Sequence, residues 1–369
     1  VPELLARAAD SGCYKVEGGE LLALTHSGEH EVCQRSLEEL TVADLKRRGE
    51  PLKKNGSASL WNMGDDVLLV EYHSKMNAMD PLSMQMLLSA VEEAESGDWR
   101  GIVIGNDGQN FCAGANLGLA LIAANLGAWK EIREFIQLGQ DAYMALKHCG
   151  VPVVSASTGM CLGGGCEVLL HSDAVQAHAE SYIGLVEVGV GIVPAWGGCK
   201  EMLNRLTLNG HAANGPMAPV TTAFETIGLA KVAKSAQQAE QIGYLGDATR
   251  ITFNRRRLLN DAKQLCLELA PDYTPPEPAI YKLPGASGRA ALEMAVRDLA
   301  LSGKATPHDV VVVGELATVL TGGDTDHLQE LSEEDILELE LNALVTLAKH
   351  TGSLDRMQHM LEKGKPLRN

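Results

Sequence analysis

A chain of 369 residues, 45% of them hydrophobic, can bury one large core or two modest ones. Its formal charge of −17 argues against a nucleic-acid groove as the main function, since phosphate binding needs a basic face, but leaves room for a local basic patch around a small anion. An aromatic share of 4% puts the packing on Val, Leu, Ile and Ala, and no apolar run reaches the roughly 20 residues that cross a bilayer.

Residues 1–55 hold a short helical piece at Leu4, Leu5 and Ala8, a turn at Gly18 and Gly19, and a polar tract ending in Leu52-Lys53-Lys54-Asn55-Gly56. With so little hydrophobic periodicity they read as a linker or the end of something upstream. A first residue Val1 in place of Met points to a piece of a longer chain. The run of Val, Leu, Leu and Val within 67–72 predicts a buried strand, with a loop over 73–77. Asp80 followed by Pro81 is a cap and a first helical position, and Met84, Leu87, Leu88 and Val91 recur at helical spacing up to Gly97. A second strand over 101–104 makes the order strand, helix, strand, which implies right-handed crossovers and an α/β core. A loop follows over 106–117, in which Ala113, Gly114 and Ala115 leave the backbone uncovered. An amphipathic helix then spans 130–147.

The informative stretch is 151–198. Val151, Val153 and Val154 meet the glycine cluster 163–165, and helix-forming residues continue over 167–170, so the segment reads as strand, turn, helix. Amides at such a helix start are free donors at its positive end and suit an oxygen that gains negative charge. Glu167 stands in the first turn and Glu187 in another glycine-punctuated segment. Taken singly they read equally well as an acid complementing a helix dipole and a solvated one, but the combination argues for two candidate proton-transfer groups beside an oxyanion site.

Beyond this stretch, helix is expected over 199–206, a surface loop over 209–220, and helices over 223–232 and 235–242. Arg250 and Arg255-Arg256-Arg257 open a helix reaching Leu269; the arginines face solvent, pair with acids or hold a phosphate. Five prolines make 271–284 an extended connector, after which helices are expected over 289–302, 307–320, 332–350 and 353–363. Leu337, Leu341, Leu344 and Ala348 form an apolar stripe on an appendage that packs on the core or on another subunit. Eight cysteines, at 13, 33, 112, 149, 161, 166, 199 and 266, show no CxxC pair and read as reduced packing thiols of a cytoplasmic protein.

The loop FCAGANL (111–117), the segment GMCLGGGCE (159–167), Asn77 after Lys75 and Met76, and EVGVGIVPAWGG (187–198) together resemble the successive signatures of the enoyl-CoA hydratase/isomerase, or crotonase, superfamily, over about residues 65–265. Residues 1–20, with Gly12-Cys13-Tyr14, are similar to the tail of a 3-hydroxyacyl-CoA dehydrogenase module, and the closing residues through Gly364-Lys365-Pro366 resemble the ends of bacterial proteins that join the two activities.

The resemblance implies an α/β fold, a crotonase-like ββα spiral core over 56–270. An upstream module's tail and linker (1–55) would precede it, and a proline-rich connector and helical region (271–369) would follow. It implies that the amides of Ala115 and Gly164 grip a thioester oxygen and that Glu167 and Glu187 hold one water for addition to a 2-enoyl-CoA. Lys75, Met76, Ala113 and Leu117 would lie along the CoA moiety. The hydratase step would need no cofactor, with NAD expected only for the upstream dehydrogenase module. The expected partners are an acyl-CoA thioester, that module and further copies of the chain. Asn116 stands where an aspartate is frequent, and Ala195 where a glycine usually follows Pro194. Two other readings remain at this stage: double-bond isomerisation with one glutamate, and a non-catalytic acyl-CoA-binding module.

Overall fold

The structure, a computed structural model, describes residues 3–33, 36, 38–208, 210 and 214–369. The chain opens with α1 (Glu3–Ser11) and an antiparallel sheet of β1 (Tyr14–Glu17), β2 (Glu20–Leu24) and β3 (His30–Val32), with Gly18 and Gly19 at positive φ in the first turn. The short helical piece and the turn are where the sequence puts them. The strands are too exposed to leave an alternating pattern. α2 (Val42–Arg48) starts in a capping box between Thr41 and Asp44. Its first amides, from Val42 and Ala43, also donate to the Asp107 carboxylate at 2.9 Å each, which fastens the segment to the core.

The main sheet has seven strands in the order β10-β9-β8-β7-β6-β5-β4. These are β4 (Lys53–Lys54), β5 (Ala58–Asn62), β6 (Val67–Tyr72), β7 (Gly101–Gly105), β8 (Val153–Leu162), β9 (Ala174–Gly184) and β10 (Arg250–Thr252). Pairing is antiparallel from β4 to β6 and parallel from β6 onward. Every residue of β6 and β7 is buried, as their apolar runs require; the one charge, Glu71 of β6, accepts from Lys46 and from the Trp61 indole.

Helices make the crossovers, α3 (Pro81–Ser96), α4 (Leu117–Asn125), α5 (Trp129–Lys147), α6 (Gly164–Leu170), α7 (Gly198–Leu208), α8 (Met217–Gly228) and α9 (Ala236–Ile242), and α10 (Leu258–Leu269) follows the last strand. Asp80 caps α3 in a box with Ser83. Ser235 caps α9 through the amide of Gln238.

Four sequence expectations are corrected. α4 was not legible because it is apolar nearly all round, with only Ala124 buried, so no periodicity marks it. The loop expected over 209–220 falls partly on 209 and 211–213, outside the described residues, and its last part is helix. Pro219 sits in the first turn of α8, where its missing N–H is not needed. At its other end α8 stops at Gly228, short of the expected 232. Arg250 belongs to β10, a strand too short to announce itself. The arginines that follow pair with acids: Arg256 with Glu39 at 2.9 Å and Arg257 with Glu38 at 2.7 Å.

After the connector come α11 (Gly285–Leu301), α12 (Pro307–Leu320), α13 (Glu333–Ala348) and α14 (Thr351–Lys363). They pack on this chain's own core. Arg356 of α14, 2% exposed, donates to the carbonyl of Val188 at 3.2 Å and pairs with Asp309 at 2.6 Å. Ser353 donates to the carbonyl of Gly191 at 2.6 Å. The helical region therefore clamps the short 3-10 turn Glu187–Val190, on which one candidate catalytic carboxylate stands. No helix among the described residues is long and apolar enough to cross a membrane.

Candidate active site

Two backbone segments converge at the end of β8. The loop 111–116 runs beside that strand, with the amides of Phe111 and Cys112 donating to Thr158 and Met160. Met79 then takes the next residues in ladder fashion: its amide donates to Gly114 O and its carbonyl accepts from Asn116, both at 2.9 Å. Alternate residues of an extended chain face opposite ways, so the amide of Ala115 turns away from Met79 and has no acceptor among the described residues. The second segment is the turn into α6. Gly163 takes φ +55°, and a Cβ there would stand 3.0 Å from Glu187 Oε1 and 3.6 Å from Gly114 Cα. At Gly164 a Cβ would meet the Trp196 ring at 2.4 Å. Close approach, beyond backbone freedom alone, dictates these glycines. The amide of Gly164, first in α6, is likewise without an acceptor among the described residues.

Ala113, Ala115, Leu117, Gly164, Glu167 and Glu187 line one cavity of about 200 Å³. Its remaining wall is mostly aliphatic and includes Leu344 of α13 and Met360 of α14. Lys75 and Met76 lie outside this cavity and are exposed; the connection is the amide of Ala113 donating to Met76 O at 3.3 Å. Asn116 caps α4 by accepting from Leu119. Ala195 lines the cavity, and its carbonyl accepts from Gln140 at 2.9 Å.

The two glutamates differ in what holds them. Glu167 is 2% exposed, and its Oε1 accepts from the amides of Trp196 and Gly198 at 2.8 and 2.9 Å. Burial pushes its carboxyl up to about 7 against the pull of those two donors. Glu187 Oε2 is buried without a hydrogen-bond partner among the described residues. Burial, reinforced by the charge of Glu167, holds the Glu187 carboxyl well above the ordinary range. The arrangement supplies an anchored carboxylate that can take a proton, a neighbour that keeps one, and two amides for an oxyanion.

Sequence reading missed three contributors. Tyr143 reaches Gly164 O at 2.8 Å and so fixes the start of α6. Trp196 packs edge-on against Tyr143, with ring centroids 5.8 Å apart. Glu340 of α13 is fully buried and accepts from the amides of Gly197 at 2.7 Å and Lys200 at 2.9 Å. Its one legible signal was a charge lying on the Leu337–Leu341–Leu344 stripe.

The fold and this constellation define a crotonase-type protein, and comparison with known proteins agrees. A profile of the enoyl-CoA hydratase/isomerase family matches residues 65–243. A Bacillus subtilis protein named as a 3-hydroxyacyl-CoA dehydrogenase is 40% identical over 93% of this chain, which spans 43% of that protein's length. A crotonyl-CoA hydratase of Syntrophomonas wolfei is 33% identical over 37% of this chain and 54% of its own. The crystal structure of an enoyl-CoA hydratase from Bacillus halodurans shares the fold, with TM-score 0.55 and 18% identity, covering 82% of this chain and 99% of its own.

Proposed function

We propose that this chain adds water to trans-2-enoyl-CoA to give 3-hydroxyacyl-CoA. The observation that carries the reading is one apolar cavity lined by two buried glutamates and by two residues whose amides have no acceptor among the described residues. Glu167, whose ionised form the Trp196 and Gly198 amides favour, takes a proton from water as the oxygen adds to C3. Negative charge moves to the thioester oxygen, where the amides of Ala115 and Gly164 stabilise it. Glu187 then passes its proton to C2. Water is thus added whole, and the pair returns to its starting state by proton exchange. Aliphatic walls exclude solvent and strengthen each of these interactions.

The longer context is part of the proposal. The similarity to a protein named for 3-hydroxyacyl-CoA oxidation supports reading residues 1–55 as the tail of a dehydrogenase module, which would use NAD. The product of hydration would be that module's substrate, as in fatty-acid β-oxidation. Lys75 and Met76, exposed beside Ala113, would then meet the CoA moiety outside the cavity.

Loss of the conjugated thioester absorbance of crotonyl-CoA tests the reading. Glu167→Gln and Glu187→Gln should each lower kcat by about 10²–10⁴-fold. Parent-like hydration by both variants would refute it. Supplied with a 3-enoyl-CoA, the parent should not simply move the double bond; migration without net hydration would favour isomerisation. Binding without turnover would favour a non-catalytic module.

A further inference from the structure

The turn 196–200, at the start of α7, gives its amides to two glutamates in alternation. Trp196 and Gly198 donate to Glu167, whereas Gly197 and Lys200 donate to Glu340, which arrives from α13 far along the chain. Each carboxylate therefore holds the turn in the form that serves the other. Gly197 is at φ +95°, where only glycine is free of strain, so the alternation is built into the backbone. The positive end of the 11-residue α7 lies beneath both acids. Among the described residues no cation pairs with Glu340, and the Lys200 ammonium turns instead to Glu201 and Glu333.

We propose that Glu340 is a positioning residue of the active site, which locks the 196–200 turn so that its other two amides hold Glu167, and whose carboxylate is the third member of one buried acid cluster with Glu167 and Glu187. The inference rests on the hydratase reading for its kinetic arm only. The titratable groups that act on Glu340 or feel its charge are Glu167 on α6, Glu187 on its 3-10 turn, Cys199 and Lys200 on α7, and Tyr281 of the connector. Burial and the charge of Glu167 push Glu340 up to about 8, so it becomes negative as pH rises through that value and then helps Glu187 keep its proton.

Glu340→Gln keeps the shape, loses the charge and turns a donor toward one backbone N–H. It should lower kcat about tenfold, as expected for a buried donor left unpaired, with KM nearly unchanged. The alkaline limb of the pH–rate profile should move down by about one pH unit, with a smaller effect on the acid limb. Glu340→Ala frees the turn and should cost roughly 10² in kcat. NMR titration of the side-chain carboxyl carbons, with signals assigned through Glu167→Gln and Glu187→Gln, reads the same coupling without turnover. In Glu340→Gln the Glu187 carboxyl should titrate at lower pH than in the parent. A parent that hydrates crotonyl-CoA, together with a Glu340→Gln variant whose kcat, pH limbs and carboxyl titrations match it and only the Tm falls, would overturn the inference. A parent that does not hydrate, with the Glu187 titration still moved in the variant, would instead refute the proposed function and leave the coupling standing. Should Glu340→Ala not fold, Glu340→Gln carries the test.

Discussion

Helix α7 meets two groups of buried acids, and their fates are opposite. Glu201 and Glu333 face the ammonium groups of Lys147 and Lys200, with Lys147–Glu201 at 2.7 Å and Lys200–Glu333 at 2.8 Å. Those cations hold Glu333 down at about 2, and Glu201 lower still, despite their burial. Glu167, Glu187 and Glu340 are as deeply buried, but face backbone amides and one another, and all three are raised. Burial alone does not distinguish a working acid from a structural one. A full counter-charge fixes an acid as a permanent anion, whereas the partial charge of peptide N–H groups leaves its proton exchangeable near neutral pH.

The sharpest break in the comparison comes from neutralising one acid of each group. Glu187→Gln should reduce turnover by about 10²–10⁴-fold while leaving Tm near the parent value, whereas Glu333→Ala should do the reverse. Removing Glu333 leaves Glu201 as the one carboxylate facing two buried ammonium groups, so one positive charge is uncompensated. Unfolding in denaturant should show a loss of about 3–5 kcal/mol, with kcat of the folded fraction within a few-fold of the parent.

A smaller effect tests the direction of the raised group. The folded-state carboxyl of Glu167 titrates at about 7 against an ordinary 4.5, so its stabilising contribution is complete below 4.5 and lost as pH rises through about 7. Glu167→Gln keeps an oxygen for both amides and never ionises. It should therefore be more stable than the parent by about 3 kcal/mol above pH 7, and equal to it below pH 4.5, in chemical denaturation. Equal stability at both ends would mean that the two amide bonds fully offset burial. For Glu333 the sign is opposite: its contribution is present above 4.5 and disappears as pH falls toward about 2.

Tyr143→Phe probes the support beneath the oxyanion site without touching either acid group. Loss of the contact to Gly164 O should cost about 1 kcal/mol of stability and a few-fold in kcat. A drop in kcat as large as that of the glutamate variants would make Tyr143 more than a support.

Much of this was legible along the chain. Apolar runs mark β6 and β7, Asp80-Pro81 marks the start of α3, and the loop 111–117, the glycine turn 163–165 and the two glutamates all stand out in the sequence. α4 escaped because a helix that buries little and is apolar on every side has no stripe to read. Glu340, Leu344 and Met360 escaped for another reason: their helices were recognised, but nothing local says that an appendage folds back over the cavity of its own chain.

By itself, then, the sequence determined what short-range physics determines: which segments are strands or helices, where they are capped, where backbone must be bare, and which carboxylates stand at the ends of such segments. The tertiary structure alone decided which amides are spent on Met79 and which stay free, which acids meet lysines and which meet only peptide N–H groups, and that a glutamate from the last hundred residues shares a turn with Glu167. Charge states and free donors depend on what lies opposite in space, and neither periodicity nor spacing along the chain contains that information.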